Sequence, residues 1–133
     1  MNTGHDGGMT TVHANSPRDA LNRLETMVLM AGIELPSRAI RDQIVSALHF
    51  VVHVRRFDDG VRRVESVAEI TGLEGGTPLL QDIFRFTQTG RSGRKIIGTF
   101  QPTGIVPHLM HELREKGIEV DLTLFQRQTD VPS

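Results

Sequence analysis

Apolar positions fall first into a helical period. Ala20, Leu21, Leu24, Met27, Val28 and Ala31 make one stripe on a 3.6-residue turn, which predicts an amphipathic helix. Ser16 and Asp19 ahead of the stripe have the form of a capping box. Pro17 takes the first helical position, where its missing N–H costs nothing. Gly32 suits the position just past the helix end. A second helix is predicted from Pro36, with Ile40, Ile44, Ala47 and Leu48 on one face.

From His49 the period changes to two. Phe50, Val52 and Val54 alternate with Val51, His53 and Arg55, and Asp59-Gly60 follows as a hairpin turn. The return strand is predicted over Val61 to Thr71, and 72–78 reads as a loop. Leu79 to Thr87 is the next strand, with Leu80, Phe84 and Phe86 on one face. A turn at 90–93 leads into a strand from Lys95 to Gln101, which Pro102-Thr103-Gly104 breaks. A short helix is expected from Pro107 to Lys116, ending at Gly117, with a frayed end after Phe125.

Ahead of the first helix, 4–8 is a glycine-rich loop and Met9 to His13 reads as a short buried strand. That strand has no earlier strand to pair with. It makes sense as an inner strand of a parallel α/β sheet whose neighbours lie upstream. The chain is therefore expected to be α/β and to form part of one domain over 1–133: strand–helix–helix, then an antiparallel meander closed by a helix.

Composition narrows the partners. The net charge of −1 favours neither nucleic acid nor an anionic membrane. All but two of the 15 basic residues, Lys95 and Lys116, are Arg, which suits fixed charge pairs. Without cysteine there are no disulfides and no thiolate metal sites. The apolar runs are too short for a membrane span or a signal peptide, so a cytoplasmic protein is expected.

The segment Thr3-Gly4-His5-Asp6-Gly7-Gly8-Met9-Thr10-Thr11-Val12-His13-Ala14-Asn15-Ser16 concentrates the polar chemistry. His13 would sit at the carboxyl end of its strand, where α/β sheets bind ligands. Asn15 could fix its tautomer or reach the same ligand. The N–H groups and dipole of the helix opening at Ser16 favour an anion, so phosphate is one reading. The plainer reading makes His5 a turn residue and His13 a buried core residue. A third lets His5, Asp6 and His13 ligate zinc in a small metal-dependent hydrolase.

The remaining charges and histidines read as structural. His49 and His53 lie on a strand, and His108 and His111 on an exposed helix face. Arg55, Arg56, Arg62 and Arg63 read as a solvated cross-strand face with Asp58, Asp59 and Glu65, or as a subunit contact. Arg18 and Arg23 could supply charge near a phosphate, but pairing with Asp19 and Glu25 is the favoured expectation.

The sequence resembles the type II/IV secretion and pilus-assembly ATPases, most closely the CpaF-like branch that drives Flp pilus assembly. The resemblance is carried by the segment quoted above, followed by Pro17-Arg18-Asp19-Ala20-Leu21-Asn22-Arg23-Leu24-Glu25-Thr26-Met27. Leu35-Pro36-Ser37-Arg38-Ala39-Ile40-Arg41, Leu80-Gln81-Asp82-Ile83-Phe84 and Thr103-Gly104-Ile105-Val106-Pro107 extend it. It implies the C-terminal part of a RecA-like P-loop NTPase domain within a hexameric motor. The motor would use ATP and Mg²⁺ and work with inner-membrane pilus or secretion platform proteins. It would be peripheral at the cytoplasmic face of the inner membrane, with no nucleic acid partner.

Carried over by that resemblance, His5 and His13 are the catalytic and nucleotide-binding histidines of the family's histidine box. Asn15 and Ser16 are its supports, and no metal ligands are implied. A phosphate-binding G-x-x-x-x-G-K-[ST] loop is missing, since no Gly-Lys dipeptide occurs. The expectation is a C-terminal fragment that does not hydrolyse ATP alone. The alternative is a non-catalytic module that joins rings of a full-length homologue.

Overall fold

The computed structural model describes residues 8–127. Two compact units share the chain: 1–49 with 70–80, and 50–69 with 81–133. Each is described by itself.

Helix α1 (Pro17–Met30) opens as its sequence predicts. Ser16 is extended, and its Oγ accepts the Asp19 N–H at 3.0 Å. The Asp19 carboxylate reaches past Ser16 and accepts the N–H of Asn15 at 2.9 Å. Helix α2 (Ser37–Ala47) follows Pro36. The helices pack together, and Arg41 Nε donates to Glu25 Oε2 at 2.9 Å across the contact. Ala20, Leu21 and Ile40 are buried, and Ile40 is 1% exposed. The far ends of the stripes are less covered. Met27, Leu29 and Met30 are exposed, and a groove of about 290 Å³ runs between Leu24, Val28, Ile44 and Leu48. The stripe is thus only partly the core that its period suggested.

Strands β1 (Phe50–Arg56), β2 (Arg62–Glu74), β3 (Thr77–Ser92) and β4 (Lys95–Pro102) form one antiparallel sheet in chain order. The β1–β2 turn is where Asp59-Gly60 placed it, with Gly60 N–H donating to Phe57 O and Phe57 N–H to Val61 O. The register shifts between His53 and Val54 leave Glu65 as an extra residue on β2.

The predicted loop over 72–78 is instead a continuation of both strands around Gly75-Gly76. Both glycines have positive φ, 58° and 83°, as a two-residue type I′ hairpin requires. Pro78 is tolerated inside β3 because β4 pairs only with Phe84 to Ser92. Along that side Pro78 lies on a sheet edge, where no N–H is needed.

Two other expectations change. Met9 to His13 forms no strand, because no neighbour among the described residues offers it a hydrogen-bonding ladder. The parallel strand pairing expected for that segment is likewise absent among the described residues, whose mixed α/β fold carries the antiparallel meander that the sequence predicts.

The second unit is closed by helix α3 (His108–Glu115) and a 3₁₀ turn over Leu122–Phe125. Its core holds Ala68, Ile83, Ile96, Phe57 and Phe125. Phe86 meets Phe57 edge-on at 5.1 Å, and Phe84 lies between Phe100 at 5.5 Å and Phe125 at 5.9 Å.

Candidate functional site

Of the histidine box, His5 and the residues before Gly8 lie outside the described residues. His13 is exposed, on irregular chain ahead of α1, so it is not the buried core histidine of the plainer reading. Asn15 is exposed and Ser16 half-buried, and both are engaged by the helix start through backbone or side chain.

This arrangement changes the electrostatics at α1. A bare N-terminus attracts anions, but here Asp19 supplies the anion from within. Its carboxylate takes the Asn15 N–H, and Arg23 Nε donates to it at 2.9 Å. These contacts, the Asn15 N–H first, hold the Asp19 carboxyl below the usual carboxylate range. A phosphate arriving at α1 would meet this carboxylate. Among the described residues of the segment, the exposed His13 side chain is open to a ligand from outside.

Arg18 does not pair with Asp19. Its Nη1 donates to Pro78 O at 2.9 Å, while Glu25 takes Arg41.

In the second unit the sequence reading missed two polar centres. Arg63 and Asp59 are no solvated face. Both Asp59 oxygens accept from Arg63, at 3.0 and 2.7 Å, and Asp59 also accepts the N–H groups of Val61 and Ile96. The Asp59 side chain is 3% exposed. Arg63 lies 5.1 Å from the Phe57 ring and 5.5 Å from the Phe86 ring. The Arg63 guanidinium, above all, holds the Asp59 carboxyl far below its ordinary range. The Asp59–Arg63 spacing of four was visible in the sequence, but the burial depends on the aromatic rings.

The second centre is Glu69. It is buried and accepts the first N–H groups of α3, from His108 at 2.8 Å and Leu109 at 3.0 Å, with Gln81 Nε2 at 2.9 Å. No local signal reveals such a long-range cap. On β1, His53 is buried, with Nδ1 3.3 Å from Glu65 Oε1 but without hydrogen-bond geometry. Glu65 is also paired to Arg55. His49 is exposed, and the side chains of His108 and His111 are exposed on α3.

Among the described residues, no group of three or more His, Asp or Glu side chains could hold a metal ion. No Gly-Lys dipeptide is present to cradle phosphates. No described helix is long and apolar enough to cross a membrane.

Comparison with known proteins places the chain. Residues 1–111 match the model of the type II/IV secretion system protein family. A putative conjugal transfer protein of Mycobacterium tuberculosis is 36% identical over 75 residues, covering 56% of this chain and 21% of that protein. The conjugal transfer protein TrbB of Rhizobium radiobacter is 39% identical over 71 residues, covering 53% of this chain and 20% of its own length. A probable TrbB of Sinorhizobium fredii is 32% identical over 75 residues, covering 56% and 22%. The matched part is thus about a fifth of the length of these relatives. With the family model matched over most of its length, the chain belongs to the type II/IV secretion system protein family.

Proposed function

We propose that this chain is the C-terminal part of a RecA-like, hexameric traffic ATPase, to which it contributes the histidine box. His5 and His13 would face the terminal phosphate of ATP, with Asn15 and Ser16 as supports. The upstream part would supply the phosphate loop and the Mg²⁺ site. The observation that carries the reading is the family match over residues 1–111, which includes the segment from His5 to His13.

The first unit supports it. Two helices with half-covered apolar stripes and a groove of about 290 Å³ resemble one layer of an α/β domain awaiting its sheet. The Met9–His13 segment, unpaired here, would become a strand of that sheet. The ring would work at the cytoplasmic face of the inner membrane with platform proteins.

The CpaF-like resemblance points to Flp pilus assembly. The relatives named as conjugal transfer proteins favour conjugation as the alternative process.

The test is co-expression with the segment encoded directly upstream in the source genome. The reading expects G-x-x-x-x-G-K-[ST] in that segment, co-purification as a ring, and ATP hydrolysis that neither part shows alone. A stop codon upstream, with binding to rings of a full-length homologue but no gain in turnover, would favour the non-catalytic module.

A further inference from the structure

The second unit carries opposite charge at its two ends. Arg56 and Arg62 face each other directly across β1 and β2 at the hairpin tip. Arg55 and Arg63 form the next pair inward, but Glu65 and Asp59 neutralise them. Arg56 and Arg62 have no carboxylate partner among the described residues, and like charges directly opposite on a sheet repel. The β3–β4 tip lies beside this one, since Arg91 reaches Asp58 at 3.3 Å and the Ile96 N–H reaches Asp59 at 2.9 Å. It adds Arg94 and Lys95, both exposed and likewise unpaired among the described residues. Four uncompensated cations therefore crowd one end of the sheet.

The other end is acidic. The segment holding Glu112, Glu115, Glu119 and Asp121 is anchored twice. Glu69 holds the start of α3, and Phe125 packs on Phe84. Glu69 pairs with Phe50 and Phe84 with Pro102, at the ends of the β1–β2 and β3–β4 ladders away from the tips. Six residue steps separate Phe50 from Arg56, roughly 20 Å of strand. The four carboxylates are exposed, with only Arg114 and Lys116 among them as opposing charge.

We propose that the basic tips Arg56, Arg62, Arg94 and Lys95 dock on the acidic segment Glu112–Asp121 of a second copy of this chain. The two surfaces differ, and the acidic one is anchored away from the tips, so the contact is head-to-tail. Such contacts propagate from copy to copy and close into a ring where the rotation allows. Complementary charge fixes register and partner choice at the contact. The inference deepens the ring reading above by naming the surfaces involved.

The experiment is sedimentation equilibrium of the full chain at ~0.05 and ~0.5 M NaCl, a range over which exposed charges become strongly screened. One variant carries Arg56→Glu, Arg62→Glu, Arg94→Glu and Lys95→Glu. The other carries Glu112→Lys, Glu115→Lys and Glu119→Lys. The wild type should self-associate at low salt and lose at least about tenfold in association at high salt.

Each variant alone should stay monomeric at low salt, and mixing the two should restore association. Variants that merely misfold would not recover on mixing. A wild type that is monomeric at both salts, association that grows with salt, or variants that keep the wild-type circular dichroism and melt yet fail to recover on mixing would overturn the proposal. So would unchanged self-association with loss of binding to phosphatidylglycerol vesicles, which would assign the tips to lipid. ATP turnover with the upstream part is read separately, so this contact and the motor reading can fail independently.

Discussion

The carboxylate of Glu69, on the inner strand β2, accepts the backbone N–H of His108, 39 positions later, at 2.8 Å. With Leu109 at 3.0 Å it satisfies the start of α3, which follows Pro107 and has no side-chain cap of its own. Glu69→Ala should cost about 3 kcal/mol, because it leaves buried N–H groups and Gln81 without partners. Hydrogen exchange would register the loss first in the α3 amides. Protection there equal to wild type would show that α3 is held by packing alone.

Asp59 gives a pH prediction. Its folded carboxyl titrates well below its unfolded range, mainly through Arg63. A depressed folded pKa contributes stability that is present above the unfolded value, near 3.8, and lost as pH falls toward the folded one. The melting temperature should therefore fall as pH drops below about 4. Asp59→Asn should lower it at neutral pH and flatten that acid limb. Parallel curves for the two proteins would remove Asp59 from the account.

Gly98 sits against the Phe86 ring. A Cβ built there would clash with the Thr87 carbonyl oxygen and lie 2.5 Å from the ring edge. Gly98→Ala should destabilise by about 2 kcal/mol through forced displacement of Phe86, which also contacts Phe57. Chemical denaturation measures this, and a neutral result would mean that both the ring and the Thr87 backbone yield at little cost.

At α1, Ser16→Ala should cost about 1 kcal/mol and Ser16→Gly only a few tenths. No loss from Ser16→Ala would show that the hydroxyl's bond to the Asp19 N–H does not hold the helix start.

Much of this fold was legible because its signals are local. Ser16, Pro17 and Asp19 announced α1, and Asp59-Gly60 the first hairpin. Gly75-Gly76 was a readable type I′ signal, but Gly72 and Pro78 beside it read as loop. Only the short reach of β4 explains why Pro78 is allowed in a strand. Met9 to His13 has a strand's composition without a strand's partner. Glu69 and the burial of Asp59 depend on residues far away in sequence, which no local period encodes. Of the candidate site, His13 was found exposed, while His5 lies outside the described residues.

The central claim is that His13 acts on the phosphate of a nucleotide held by the upstream part of the motor. The direct measurement is ATP turnover by the reconstituted ring with wild-type chain, with His13→Ala and, as a control at the helix cap, with Ser16→Gly. The account predicts that His13→Ala lowers kcat by about 10²-fold or more, in the range for losing a positioned catalytic group, while the ring still assembles. Ser16→Gly should turn over nearly as wild type. An assembled His13→Ala ring with unchanged kcat would contradict the account.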